Sequence, residues 1–335
     1  SLGYRKGKLN LFGSVNYFDN ISFNRIELSR NILNPNTKDI LAVLDQTTTM
    51  GVHVKPVNTK FSLDYLATKN SSFGFSFSSN YNNNFFTLPT RMEVSNSVGV
   101  LQGVYNSSTE NAMTINNIIS NVYWKTKLDT TGRELSADID FIRNSSDFKQ
   151  TMNSYYYPQL NNPAEAPYIL RGINPSVINV YSGKIDYVHP LKNNAKFEAG
   201  IKASIVETDN NSLFNVLKNN TWEVDPRSNE FIYKENIYAA YLNGNKQWKK
   251  WGLQLGVRLE NTIMNGNQVT TNQKFERNLL QLFPTAFVSY KATDISTFTL
   301  NFGRRIDRPN YRDLNPFQLL LNPFTYNQGN PNLRP

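Results

Sequence analysis

Apolar and polar residues alternate one by one in several stretches of this chain. In the stretch 251–260 one face carries Trp251, Leu253, Leu255, Val257 and Leu259, and the other carries Gly252, Gln254, Gly256, Arg258 and Glu260. Similar alternation occurs around residues 9–17, 135–141 and 197–205. Because successive side chains of a strand point to opposite faces, a period of two predicts β-strands with one apolar face. Helical periodicity is nearly absent, so the sequence predicts an all-β protein.

The connections between these stretches alternate between short and long. We predict short hydrophilic turns at residues 5–8, 68–71, 128–133, 191–194, 244–250 and 291–294, and long Asn-, Ser- and Pro-rich links at roughly 19–57, 82–115, 144–176, 207–230, 263–277 and 306 onward. The result is an antiparallel meander of about twelve strands, each of about nine to twelve residues, which is long enough to cross a bilayer at a tilt. Short turns on one side and long loops on the other are typical of an outer-membrane barrel.

The composition narrows the class of protein. Hydrophobic residues make up 39% of the chain, below the roughly 45–50% of soluble globular proteins, which argues against a thick dry core. There is no cysteine, so disulfides and thiolate metal sites are excluded. The net charge is +9, but the Lys and Arg residues are spread along the whole length of the sequence instead of forming one dense patch. We therefore expect no nucleic-acid partner.

A soluble β-sandwich or a surface adhesin would also alternate, with its apolar face in a closed core. The predicted strands are longer than the five or six residues usual in sandwiches, and Lys196, Glu198 and Lys202 follow each other closely on the polar face. In a barrel, the apolar face points to lipid and the charged face to the lumen. The residues expected to face lipid are Leu253, Leu255, Val257, Phe197 and Ile201, and those expected to face the lumen are Arg258, Glu260, Lys202 and Glu198.

Aromatic and basic residues cluster near the predicted short turns. Tyr123, Trp124, Trp248, Trp251, Tyr187 and Tyr290 fit an aromatic girdle at a membrane interface. The basic residues in the turns include Arg5, Lys6, Lys8, Lys249 and Lys250. Both features are expected at the short-turn side of a membrane barrel.

Residues that could carry chemistry are few. His53 and His189 are far apart in sequence and are more typical of surface positions than of a metal site. Asp138 and Asp140 share a strand face, where a glycosidase pair is conceivable but a lumen wall is the more common setting. We expect no enzymatic activity, no catalytic or metal-binding residues and no cofactor.

The C-terminal stretch "GRRIDRPNYRDLNPF", followed by "NPFTYNQGNPNLRP", is rich in proline, which cannot donate to a strand ladder. Its mixed charges predict a loop tied down by an ion network, with a ligand surface as the alternative. The residues singled out are Arg304, Arg305, Asp307, Arg308, Pro309, Asn315, Pro316, Phe317, Gly329, Asn330 and Pro331.

These C-terminal motifs resemble the segment inside the barrel of TonB-dependent outer-membrane receptors, in particular the Bacteroidetes-type outer-membrane β-barrel family of Gram-negative bacteria. Residues 181–191, 231–243 and 282–291 look like the same family. The resemblance implies that residues 1–335 are a partial barrel domain that binds and imports a scarce nutrient such as a siderophore, glycan or peptide. A surface-exposed β-sheet adhesin or carbohydrate-binding module is the alternative.

The resemblance also implies partners and further segments. The expected partners are outer-membrane lipid, a TonB-type energy-transducing complex that acts through a plug domain, and optionally a surface lipoprotein. In the family, a plug precedes the barrel and further strands follow the Gly-Asn-Pro motif. We therefore expect an open, curved half-cylinder, roughly the first half of a barrel of about twenty-two strands, whose first and last strands do not pair with each other.

Overall fold

The computed structural model describes residues 1–158, 166–270, 272–309, 311–314, 318–330 and 333. Most of them form one antiparallel sheet of fourteen strands. These strands are β1 (Leu2–Lys6), β2 (Leu9–Tyr17), β3 (Asn20–Leu33), β4 (Ile40–Leu66), β5 (Ser71–Asn96), β6 (Leu101–Lys127), β7 (Glu134–Tyr157), β8 (Tyr168–Leu191), β9 (Ala195–Lys218), β10 (Thr221–Val224), β11 (Asn229–Gln247), β12 (Trp251–Gln268), β13 (Gln273–Lys291) and β14 (Thr297–Gly303). A helical turn, α1 (Tyr311–Leu314), and a hairpin of β15 (Gln318–Asn322) and β16 (Thr325–Gln328) follow.

Twelve of the strands form the continuous path of the sheet, in the order β1-β2-β4-β5-β6-β7-β8-β9-β11-β12-β13-β14. Strands β2 and β3 both pair with β4, β2 opposite Val57–Tyr65 and β3 opposite Ile40–Val54, so they act as two lengths of one strand. Strand β10 pairs with the end of β9. The predicted antiparallel meander of about twelve strands is confirmed.

The sheet is open. Strands β1 and β14 lie at its two edges, and no ladder joins them in the described part of the chain. The expectation that the first and last strands would not pair is therefore confirmed.

The predicted strand lengths were wrong. Strands β4 to β9 have 24 to 27 residues, and the stretches predicted as long links at 19–57, 82–115, 144–176, 207–230 and 263–277 are mostly strand. In these stretches apolar residues occur only at scattered positions among polar ones, so the regular apolar alternation disappears. The backbone ladder does not depend on that alternation and continues without it.

The predicted short turns are confirmed with small shifts, since residues 7–8, 67–70, 128–133, 192–194, 248–250 and 292–296 connect consecutive strands. On the opposite side, the turn between β9 and β10 consists of Asn219 and Asn220, with φ of 49° and 61°. A two-residue hairpin turn of type I′ needs positive φ at both positions, and asparagine tolerates this better than most residues. Here an Asn-Asn pair replaces a predicted loop.

One face of the sheet carries a continuous apolar band next to the short turns. The registers align one row of it across six strands: Ala137, Ile185, Ile201, Ala240, Leu259 and Leu282. These side chains are not in a closed core, since Ile201 is 57% exposed and Leu255 is 53% exposed. The sandwich alternative, which would bury this face, is not supported.

A polar row ends the band on the side away from the short turns. It consists of Arg143, Asn179, Glu207, Lys234, Asn265 and Glu276, again aligned across six strands. We call the parts of the strands between the short turns and this row the membrane half, and the parts beyond the row the far half.

The length of the membrane half matches a bilayer. On β12 the membrane half runs from Trp251 to Ile263, about 43 Å along the strand. At a tilt near 45° this covers about 30 Å, the thickness of a bilayer core.

Candidate functional site

The face opposite the apolar band is a polar wall in the membrane half. Lys184 Nζ lies 2.9 Å from Asp186 and 3.7 Å from Asp138, and Asn121 Nδ2 donates to Asp140 Oδ1 at 2.7 Å. The carboxylates of Asp138 and Asp140 thus each have a neighbouring donor, as expected for a lumen wall. Glu198, Lys202, Arg258 and Glu260 share this face by register, so both predicted sets of side chains lie on the faces expected for them.

The polar wall is also the concave side of the sheet, because one segment reaches both of its ends. We call the described residues of the segment 304–330 the inner strap. Near one end of the sheet, Arg30 on β3 donates to Phe324 O at 3.2 Å and to Thr325 Oγ1 at 3.0 Å. Near the other end, Arg308 of the strap forms an ion pair with Glu260 on β12.

Two apolar clusters fix the strap to the far half of the sheet. Leu320, 1% exposed, packs with Met152, Leu170 and Phe214, and Tyr168 lies against them. Burying a leucine side chain in this way stabilises the contact by roughly 1.5–3 kcal/mol.

The second cluster lies nearer the last strands. Leu314, 2% exposed, packs with Phe231, Tyr233 and Met264. Apolar side chains therefore point to the concave side in the far half, where the strap covers them.

Buried amides set the position of the β15–β16 hairpin on the sheet. Asn322 Nδ2 donates to Gln46 Oε1 at 2.9 Å. Gln150 Nε2 donates to Leu320 O at 2.9 Å and to Asn111 Oδ1 at 3.0 Å. A buried polar group without a hydrogen-bond partner destabilises the folded protein. These bonds therefore favour one position of the hairpin.

A buried carboxylate anchors the other arm of the strap. Glu260 is 2% exposed, and its carboxylate forms ion pairs with the guanidinium groups of Arg258 and Arg308. Arg308 also donates to Thr262 Oγ1 at 3.3 Å. Removing one member of such a group leaves buried charge without compensation. Arg308 was predicted to belong to a network within its own loop, whereas its acidic partner lies on β12.

The other predicted C-terminal residues lie around this anchor. The Arg304 guanidinium lies 5.8 Å from the centre of the Phe283 ring and donates to Leu282 O at 3.3 Å. Arg305 and Asp307 are exposed, and Pro309 is half-buried. Gly329 is half-buried, and the backbone N–H of Asn330 donates to Asp313 O at 2.6 Å. Asn315, Pro316, Phe317 and Pro331 lie outside the described residues.

Several residues that hold the strap were not found from the sequence. Gln46, Gln150 and Leu320 lie in stretches with no periodic pattern, and 276 positions separate Gln46 from Asn322. A polar residue among many others carries no local sign of such a contact. Glu260 was predicted to face the lumen, but its two arginine partners were not predicted.

The aromatic girdle is present for most of the predicted residues. The Trp251 and Tyr290 rings lie 4.5 Å apart, and Trp124 stacks on Phe73 at 6.4 Å. Tyr123 was assigned wrongly, because its hydroxyl donates to Asp64 Oδ1 at 2.8 Å on the concave face. Neighbouring strand residues point to opposite faces, so Trp124 and Tyr123 cannot both face lipid.

The described residues contain no group of three His, Cys, Asp or Glu side chains able to hold a metal ion. In the same part of the chain, no helix has the length and apolar character needed to cross a membrane. Two shallow depressions of about 520 and 640 Å³ lie on the apolar band around Ala199, Gly183 and Ala240. They face away from the polar wall and the strap, so we place the candidate site on the concave face.

Comparison with known families supports this architecture. Residues 126–335, from the end of β6 through the strap, match the model of a family described as outer membrane protein beta-barrel family. A comparison with curated proteins gives no match. The match covers more than half of the chain and agrees with the apolar band and polar wall. The chain therefore belongs to the outer membrane protein β-barrel family and is located in the outer membrane.

Proposed function

We propose that this chain is the barrel portion of a TonB-dependent receptor that binds a scarce nutrient, such as a siderophore, glycan or peptide, and imports it across the outer membrane. The observation that supports this most is the concave face. Its membrane half is a polar, partly exposed wall, and the C-terminal segment that resembles such receptors lies against the same face farther along the strands.

In this proposal the wall lines the path of a polar solute. Charged groups that are paired but still partly exposed, such as Lys184 with Asp186, tolerate water and polar ligands where an apolar core would exclude them. The far half presents Asn-, Thr- and Tyr-rich surface beyond the apolar band and would make the first contact with the nutrient. No chemical change of the solute and no cofactor belong to this function.

The energy for import would come from a TonB-type complex that acts through a plug domain inside the barrel. A surface lipoprotein would be an additional partner at the far half. Ligand specificity in such a barrel would reside in individual sites of the wall and the far half and not in the fold.

Uptake by whole cells tests the proposal. Labelled ferric siderophores, oligosaccharides and peptides are offered to three strains: the parent, a deletion of this gene and a deletion of the TonB-type transducer. We expect uptake of one solute class to be lost in both deletion strains, while surface binding of that solute persists in the transducer deletion only. An uncoupler added to the parent should have the same effect as the transducer deletion.

Two results would contradict the proposal. Uptake that depends on this gene but not on the transducer would indicate a passive pore. Loss of cell adhesion or glycan binding, with uptake of every solute unchanged, would favour the adhesin or carbohydrate-binding alternative.

A further inference from the structure

The excess of positive over negative charge in the chain is concentrated at one rim of the sheet. Six short stretches hold 13 of the 35 Lys and Arg residues but only 3 of the 26 Asp and Glu residues: 1–8, 67–71, 125–134, 191–196, 246–250 and 291–296. All six lie at the short-turn ends of the strands. The excess of ten positive charges in these stretches accounts for the whole net charge of +9, and the rest of the chain is close to neutral. We call this set of stretches the basic rim.

Much of the charge at the basic rim is uncompensated. Some cations have acidic neighbours, such as Lys125 with Glu134 at 2.6 Å and Lys291 with Asp294 at 2.8 Å. Within the described part of the chain, six others have no ion pair with an acidic side chain: Lys6, Lys69, Lys127, Lys192, Lys249 and Lys250. All six are exposed. Exposed like charges repel each other unless they meet an anionic surface.

The rim directly borders the part of the protein that contacts lipid. Lys250 precedes Trp251, Lys125 follows Trp124, and Lys246 Nζ lies 5.2 Å from the centre of the Trp248 ring. Interfacial tryptophans sit at headgroup level, and lysines beside them extend their ammonium groups into the headgroup layer. The charges of the rim are therefore held at the depth where lipid phosphates lie.

We propose that the basic rim binds the phosphodiester groups of anionic phospholipids in the leaflet next to the short turns. Short turns of outer-membrane barrels face the periplasm, and the far half, which projects beyond the apolar band, then lies on the cell-surface side. This inference concerns the membrane anchoring of the barrel and does not depend on which solute it carries.

The test uses the full gene product reconstituted into vesicles of phosphatidylcholine with increasing phosphatidylglycerol. Brominated forms of each lipid quench tryptophan fluorescence on contact, and Trp124, Trp248 and Trp251 lie at the rim. The ratio of quenching by the two brominated lipids gives their relative affinity for the protein.

Two variants are compared with the parent protein. The rim variant replaces Lys69, Lys127, Lys192 and Lys249 with glutamine. The matched control replaces Lys38, Lys149, Lys218 and Lys274, which lie in the far half or its connections and are also exposed.

We expect phosphatidylglycerol to bind the parent at least about tenfold more tightly than phosphatidylcholine, since one lysine near an anionic surface contributes roughly fivefold at low salt. The preference should fall as salt is raised, be mostly lost in the rim variant and persist in the control. Heat-modifiable mobility on gels would show that both variants are folded. Equal affinity for the two lipids, or equal loss of the preference in both variants, would overturn the proposal.

Discussion

The membrane half and the far half of the same strands differ in which face of the sheet carries the apolar side chains. On β9 the membrane half, Ala195–Ile205, turns Phe197 and Ile201 to the outer face and polar residues to the concave face. In the far half the outer face carries Glu207, Asp209 and Asn211, and the concave face carries Phe214. The sidedness of the strand is thus reversed beyond the polar row. One continuous strand thus borders two environments. Its outer face contacts lipid in the membrane half, and its concave face contacts the inner strap in the far half.

This reversal explains why the alternation of apolar and polar residues in the sequence predicts the strands of the membrane half but not those of the far half. A lipid-facing surface must be apolar at every second position over the thickness of the bilayer. A surface in water has no such requirement, and the strap covers only scattered positions on the concave side. Strand length in the far half is therefore maintained by backbone hydrogen bonds and not by a hydrophobic pattern.

The largest expected effect is a charge placed on the outer face of the membrane half. Ile201→Arg puts a guanidinium near the middle of the apolar band and should destabilise the folded barrel by about 2–4 kcal/mol. Asn211→Arg on the same strand and the same face is the control and should change stability by less than about 0.5 kcal/mol. The measurement is denaturant unfolding of the full gene product in bilayers. Equal effects would mean that the polar row does not mark the membrane boundary.

The next effect concerns the concave face of the far half. Leu320→Ala removes a buried side chain beside Met152 and Phe214 and should cost about 2–3 kcal/mol of strap packing. Tyr326→Ala on the same hairpin is the control, because Tyr326 is 50% exposed. Hydrogen exchange should show faster exchange of β15 and β16 in the first variant only, with the membrane half unchanged. Protection that is lost equally in both variants would show that Leu320 does not hold the strap.

A smaller effect compares a buried with an exposed carboxylate. Glu260→Gln leaves the Arg258 and Arg308 guanidinium groups without their charged acceptor and should cost about 1.5–3 kcal/mol. Glu207→Gln breaks the exposed pair with Lys234, 2.7 Å long, and should cost less than about 1 kcal/mol. Proteolysis of the strap in the two variants provides the measurement. If Glu260→Gln left the strap as resistant as Glu207→Gln did, the anchor would not be needed to hold it.

The sequence predicts the membrane half of the strands better than the far half. The strict alternation in 251–260 was enough to assign the lipid face, because the bilayer imposes that period on any strand that crosses it. The polar stretch 207–218 was read as a loop, because its alternation is hidden by Asn, Asp and Ser on both faces. Within the C-terminal motif, Arg308 was predicted to belong to an ion network of its own loop, but its acidic partner Glu260 lies 48 positions away on β12.

The sequence by itself determined the all-β class, the positions of the short turns, the two faces of the membrane half and the basic rim. These are local properties, since they depend on residues one or two positions apart or on the composition of a turn. Only the tertiary structure decided the length of the strands and the path of the inner strap across the concave face. Those features depend on contacts such as Asn322 with Gln46 and Leu320 with Phe214. Such contacts exist only after the sheet has curved, so no local pattern records them.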